Sequence, residues 1–156
     1  MYYRYDAIVF DFDGTLVKSN EIKTWAFGEL YKEHGENIVQ QIITYHKKHE
    51  GVSRFVKFCY WNKNLLGQSY TEEIGENLSR TYSQLVIDAV VQAPYLEGAL
   101  EFLKKHYQQI PLFVASGTPE TELREIIKHR SISHFFQGVY GSPATKFEIL
   151  QGILAK

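Results

Sequence analysis

The sequence has a single cysteine, no excess charge of either sign and no long hydrophobic run. Cys59 has no second cysteine to pair with, which excludes a fold held by intrachain disulfides. The 17 basic and 18 acidic residues give a formal net charge of −1, so nothing in the composition favours nucleic acid. The N-terminal segment lacks the apolar core of a signal peptide, and the stretch LVIDAVV is too short to span a membrane. We therefore expect a soluble, cytoplasmic protein that binds small molecules rather than nucleic acid or membranes.

Apolar content is ample: 44% of the 156 residues are hydrophobic and 15% are aromatic, enough for an ordered core of about one domain. The runs Ala7 to Phe10 and Pro111 to Gly117 are continuously apolar rather than alternating. Continuous runs of this length are typical of parallel strands that helices cover on both faces. The sequence therefore predicts an α/β fold with a parallel sheet.

Between the two predicted strands, apolar residues recur at helical spacing. The predicted helices run from an Asn20 cap to about His34, from Ile38 to near Gly51, onward from a Ser53 cap, from about Thr71 to Gln92, and near Gly98 to Tyr107. Trp25, Phe55, Phe58 and Trp61 are expected in the core of this helical region. The region is much longer than the crossover helix that joins two parallel strands, for which a whole strand–helix–strand unit needs only about 30 residues. We therefore predict an all-helical cap domain at residues 18–93, inserted into a Rossmann-like core made of residues 1–17 and 94–156.

Two aspartates follow the first predicted strand in the string DFDGTL. Residues two apart in extended chain point the same way, so Asp11 and Asp13 should face one site while Phe12 turns into the core. Two neighbouring carboxylates repel each other. The repulsion is relieved if a cation lies between them, or if one of the two carboxyl groups has a raised proton affinity and is protonated. A solvated, aspartate-rich turn is the alternative interpretation for a bare pair of this kind.

The whole string DFDGTL resembles the first motif of the haloacid dehalogenase superfamily of phosphohydrolases. VASGTP, ending a strand at Ser116, resembles the second motif, and GSPATKFEIL, with Lys146 entering a helix, resembles the third. The predicted cap resembles that of members with a helical cap after the first motif, such as phosphoglycolate phosphatase and β-phosphoglucomutase. The three motifs occur in the order found in the superfamily, which supports the resemblance.

The resemblance implies a role for each matching residue. Asp11 would attack phosphorus and form an aspartyl-phosphate, and Asp13 would act as general acid and then general base. Ser116 and the backbone at Gly117 would bind the phosphoryl oxygens, and Lys146 would offset the negative charge on Asp11 and phosphate. Mg²⁺ would be held by Asp11 and the Asp13 backbone carbonyl. The implied reaction is hydrolysis of a phosphate monoester of a small metabolite such as a sugar phosphate.

Inside the predicted cap, GVSRF resembles the specificity loop of β-phosphoglucomutase, which implies that Arg54 binds the distal part of the substrate. A phosphomutase is therefore an alternative function. The plainer interpretation of Arg54 is a surface arginine behind a Ser53 helix cap. For Lys23, early in the first cap helix, a solvated side chain is expected rather than one in the active site.

The acidic fourth motif of the superfamily, which follows on a further strand, has no counterpart here. The predicted core is therefore incomplete at its C-terminal end, and strand Ala7 to Phe10 should lie at an open sheet edge. We expect the chain to be part of a longer protein; the alternatives are a naturally truncated protein, or a second chain that completes the sheet. A dimer or a domain swap covering that edge would be the structural sign of either alternative. A third functional alternative is a non-catalytic module that binds phosphate esters.

Overall fold

The computed structural model describes residues 5–155 and contains one parallel sheet of three strands in the order β1, β2, β3. The strands are β1 (Ile8–Phe10), β2 (Leu112–Pro119) and β3 (Gly138–Ser142). Their apolar residues fill the core; Leu112 and Val114 at the centre of the sheet are fully buried. The predicted α/β fold with a parallel sheet is confirmed, and β2 continues two residues beyond the predicted end.

Strand β1 pairs with β2 and with no other strand of the described chain. Its three residues are only partly buried, in contrast to the centre of β2. The sheet is thus open at the edge where the sequence predicts it. The dimer or domain swap that was expected to cover this edge stays a prediction.

Helices account for every other long element. They are α1 (Asn20–Leu30), α2 (Glu36–Lys48), α3 (Arg54–Tyr60), α4 (Glu72–Gln92), α5 (Ala99–His106), α6 (Glu120–His129) and α7 (Lys146–Leu154). Short turns of other helical types follow α1 at Lys32–His34 and α3 at Trp61–Leu65. Helices α1 to α4 all lie between β1 and α5, as predicted, while the exact limits of the cap and core domains stay predictions.

Two of the predicted helix caps differ from the structure. Thr71 does cap α4, since its hydroxyl accepts the Ile74 N–H at 3.3 Å. Helix α1, however, begins at Asn20 itself, and the side chain of Ser19, the preceding residue, makes no capping bond to the helix. The Ser53 side chain likewise makes no capping bond to α3. Ser19 does not cap α1, because its hydroxyl is donated to Asp13.

Aromatic side chains form the centre of the helical region. Phe27, Phe58, Trp61 and Tyr82 are buried, and the Phe27 ring packs on Tyr82 with 4.3 Å between ring centroids. Trp25 was expected in this core and is instead 54% exposed, because it lies on the opposite face of α1 from Phe27. Within the described residues, no helix is both long and apolar enough to cross a membrane.

Candidate active site

A cavity of about 120 Å³ lies where β1 and β2 end, beneath helices α1 and α3. Asp11 and Asp13 line it from the segment after β1, and Ser116 and Gly117 line it from β2. Phe12, between the aspartates, is 1% exposed and packs into the core, as the alternation predicts. The carboxyl ends of parallel strands are the usual place for a ligand site in an α/β fold.

Asp11 lies against Lys146, which comes from the far end of the described chain. The Lys146 ammonium is 2.8 Å from Oδ2 of Asp11, and the Phe12 N–H donates to Oδ1 at 2.8 Å. Lys146 is the first residue of α7, whose start is fixed by reciprocal bonds between Thr145 and Glu148. This cap fixes the backbone position from which the Lys146 side chain extends. The structure thus brings together Asp11 and Lys146, which are 135 positions apart in sequence.

Within the described residues, three side chains donate hydrogen bonds to Asp13. Ser19 donates its hydroxyl to Oδ1 at 2.6 Å, while the Lys23 ammonium and the Thr118 hydroxyl bond Oδ2 at 2.5 and 3.2 Å. Burial by itself raises the pKa of Asp13, but the charge of Lys23 and these hydrogen bonds outweigh it and hold the pKa below its usual range. In this arrangement the Asp13 carboxylate is ionised.

Lys23 was expected to be solvated, and that expectation is wrong. Its side chain is 12% exposed, and its ammonium also contacts the Thr118 hydroxyl at 2.7 Å. Lys23 belongs to helix α1, whereas Asp13 and Thr118 belong to the sheet region. One ammonium group therefore connects the helical region to the sheet. Thr118, absent from the sequence prediction, stands two residues beyond Ser116 and shares its direction on β2.

The end of β2 lies close to the loop before α3. The Ser116 hydroxyl accepts the Thr118 N–H at 3.1 Å, and Ser116 is 1% exposed. A Cβ atom on Gly117 would lie 2.4 Å from the carbonyl oxygen of Gly51, so only glycine fits there. The helical region and the sheet thus touch through backbone beside the aspartates.

Arg54 also lines the cavity and is 4% exposed, so the surface interpretation is wrong. Its guanidinium forms a paired contact with the Glu122 carboxylate of α6, at 2.6 and 2.9 Å. It also donates to the Ser83 hydroxyl at 2.8 Å and lies 4.5 Å from the centre of the Tyr82 ring. Its role in substrate binding stays a prediction, and Glu122 is a partner that the sequence analysis does not include.

Lys57 and His46, which the sequence analysis does not place in the site, also line the cavity. The Lys57 ammonium contacts Nδ1 of His46 at 2.9 Å, and both residues are buried. Burial, together with the charge of Lys23, lowers the pKa of Lys57 to about 8. Burial and the charge of Lys57 lower the pKa of His46 to about 3.

The donor atoms at the aspartates suit a hard cation. Across residues 5–155, no three or more His, Cys, Asp and Glu side chains are grouped to hold a metal ion. Mg²⁺ does not require such a group, because it commonly takes one or two carboxylates and completes its shell with phosphate oxygens and water. Each Asp11 oxygen contacts one donor among residues 5–155, which leaves a lone pair free within that part of the chain. The residues present fit Mg²⁺ better than a soft metal.

Comparison with known proteins agrees with this geometry. The sequence profile of the haloacid dehalogenase-like hydrolases matches residues 8–148. No curated protein sequence matches the chain.

Three similar solved structures cover most of this chain. A predicted phosphatase from Clostridium acetobutylicum has a TM-score of 0.70 and 20% identity, over 97% of this chain and 69% of its own. CbbY from Rhodobacter sphaeroides, in complex with phosphate, has a TM-score of 0.69 and 14% identity, over 97% of this chain and 73% of its own. YfnB from Bacillus subtilis, bound to magnesium, has a TM-score of 0.62 and 17% identity, over 90% of this chain and 66% of its own. At these identities the structures show the fold alone, whereas the profile covers nearly all of the chain, and this protein therefore belongs to the haloacid dehalogenase-like hydrolases.

Proposed function

We propose that the protein is a magnesium-dependent phosphohydrolase that acts on a phosphate monoester of a small metabolite through an aspartyl-phosphate intermediate. The observation that carries the proposal is the contact between Lys146 and Asp11, in a cavity that Asp13 shares. Phosphoryl transfer needs mainly positioning and charge compensation, and the cavity offers both.

Asp11 is the proposed nucleophile. An oxygen of its carboxylate attacks phosphorus, the bond to the leaving oxygen breaks, and a phosphoryl group is left on Asp11. The Lys146 ammonium, 2.8 Å from Oδ2, offsets the negative charge that collects as the phosphate approaches. Ser116 and the backbone around Gly117 are proposed to bind the phosphoryl oxygens, since both line the same cavity.

Asp13 is proposed to protonate the leaving oxygen and then to take a proton from the attacking water. The ionised state described above suits the second step, in which Asp13 acts as a base. The first step needs a protonated Asp13, and a dianionic phosphate entering the cavity favours that form by raising the pKa of the carboxyl group. Lys23 and Thr118 hold the carboxylate in place during both steps.

Mg²⁺ would be held by the Asp11 carboxylate and the Asp13 backbone carbonyl. When bound, it would supply positive charge beside the phosphoryl oxygens. Magnesium in the similar structure of YfnB and phosphate in that of CbbY support this assignment. The phosphomutase alternative gains no separate support, because the Arg54 guanidinium is already bonded to Glu122.

The test is release of inorganic phosphate from p-nitrophenyl phosphate, with magnesium or with EDTA, by the native chain and by Asp11→Asn. We expect magnesium-dependent release that the substitution lowers by at least about 1,000-fold, because the nucleophile is lost. Lys128→Met, an exposed lysine on α6, is the matched control and should retain native activity. A folded native chain that binds phosphate esters without turnover would favour the non-catalytic alternative.

A further inference from the structure

The part of the cavity formed by Lys57 and His46 has no task in the reaction proposed above. Lys57 is 2% exposed and His46 is 5% exposed, although both carry polar groups. An ammonium group is costly to bury without an anionic partner, which makes this pair unusual.

The other cations around the cavity are each paired with a carboxylate. The pairs are Lys23 with Asp13, Lys146 with Asp11, and Arg54 with Glu122. Lys57 differs, because its ammonium contacts the His46 ring and makes no ion pair with a carboxylate in residues 5–155. The neighbouring Phe27 ring, whose centre is 5.4 Å from the ammonium, supplies no hydrogen-bond acceptor of the usual kind. The charge of Lys57 is thus uncompensated by direct contact.

His46 carries a second unused donor. Since the Lys57 ammonium donates to Nδ1, the neutral ring bears its proton on Nε2. Nε2 is buried and has no hydrogen-bond partner in the described chain. Buried N–H groups are nearly always bonded in folded proteins. The ammonium group and the ring N–H therefore belong to one contacting pair of residues that line the cavity, and within the described chain neither group has an acceptor with negative charge.

We propose that Lys57, held in position by His46, binds an anionic oxygen group, a carboxylate or a second phosphoryl group, on the leaving group of the substrate. The proposal rests on the phosphohydrolase function, which assigns the scissile phosphate to Asp11. Lys57 is the binding residue. Its charge-assisted hydrogen bond to the anion replaces hydrogen bonds to water that the ammonium group loses on burial. His46 is a positioning residue, because Nδ1 fixes the direction of the ammonium group.

Substrates of this class carry two anionic groups on a small carbon frame. A leaving group that is neutral at its far end would leave the Lys57 charge uncompensated in the complex, and it should bind more weakly. The cavity of about 120 Å³ has room for several water-sized groups, so a short carbon frame fits.

Calorimetric titration tests this with ligands that differ in the second group alone. The Asp11→Asn protein serves as the binding form, so that no ligand is hydrolysed. The matched pairs are 2-phosphoglycolate with ethyl phosphate, 3-phosphoglycerate with glycerol 3-phosphate, and, for a second phosphoryl group, glycerol 1,3-bisphosphate with glycerol 3-phosphate. We expect the doubly anionic member of at least one pair to bind about 10- to 100-fold more tightly, the range of one charged hydrogen bond.

The same titrations with Lys57→Met added should bring that ratio to about 1, and Lys57→Arg should restore part of it. Lys63→Met, an exposed lysine six residues later, is the control in which the ratio should not change. Thermal unfolding of each variant confirms that it is folded. A ratio near 1 for every pair in the parent, or a ratio that survives Lys57→Met, would overturn the proposal.

Failure of this proposal and failure of the phosphohydrolase function are distinguishable. If p-nitrophenyl phosphate is hydrolysed but no anionic preference is found, the reaction stands and the binding site does not. If the preference depends on Lys57 while no phosphate ester is hydrolysed, the site stands as a binding site and the reaction fails.

Discussion

Substitution of Arg54 by methionine should destabilise the protein strongly. Arg54→Met leaves the Glu122 carboxylate, only 7% exposed, with the Ser83 hydroxyl as its remaining side-chain donor. Removing one partner of a buried ion pair typically costs about 3–5 kcal/mol. For a chain of this length, that loss corresponds to a fall of about 6–20 °C in Tm. Urea unfolding followed by circular dichroism measures the free energy of unfolding directly.

The double variant Arg54→Met/Glu122→Leu separates the ion pair from simple loss of packing. Replacing both partners with apolar groups removes the unpaired charge, so the double variant should be more stable than Arg54→Met alone. Arg124→Met is the matched control, because Arg124 pairs with Glu120 on the exposed face of α6 and should contribute less than about 1 kcal/mol. The reasoning would be refuted by a stability loss below about 1 kcal/mol for Arg54→Met. It would also be refuted if the stability loss of the double variant equalled the sum of the losses of Arg54→Met and Glu122→Leu.

Three further predictions concern the site. Lys23→Met removes the charge that lowers the pKa of Asp13, so the acid limb of the pH profile for phosphate release should move to higher pH; an unmoved limb would contradict this. His46 gains a proton below pH 6.5 when unfolded but near pH 3 when folded, so the free energy of unfolding should fall by about 2 kcal/mol between pH 7.5 and 5 on this account. Urea unfolding at both pH values measures this loss of stability, which should be about 2 kcal/mol smaller in His46→Asn than in the native protein. An equal loss in both proteins would exclude the contribution of His46. Gly117→Ala drives a methyl group against the Gly51 carbonyl and should cost about 1–3 kcal/mol of stability, with a loss of activity that Gly152→Ala, at an uncrowded position on α7, does not share.

Local sequence patterns predicted much of the fold. The apolar runs of β1 and β2 and the helical spacing of apolar residues in α4 are signals that a few neighbouring residues carry. Strand β3 has only one strongly apolar residue, Val139, and two glycines, so its pairing with β2 decides its conformation. Helix α6 does carry apolar residues at helical spacing, at Leu123, Ile126 and Ile127, and that signal could have predicted it.

The residues of the candidate site likewise divide into those that the sequence predicted and those that it did not. Asp11, Asp13 and Lys146 lie in recognisable motifs, and the structure brings them to one cavity or its edge. Lys23 and Lys57 could not be placed from sequence, because a lysine on an amphipathic helix is usually solvated and only tertiary packing buries it. Lys57 does follow Arg54 by three residues, a spacing that puts both side chains on one helix face, but the spacing does not show what that face contacts.

The contact between Lys23 and Asp13 makes the proton on Asp13 and the position of helix α1 linked variables. A proton on the carboxyl group removes most of its attraction for the ammonium, and so favours separation of α1 from the sheet. By thermodynamic reciprocity, moving α1 away must raise the proton affinity of Asp13 by the same free energy. Protonation of Asp13 and separation of α1 from the sheet are therefore two coupled equilibria, and a shift in either one changes the other.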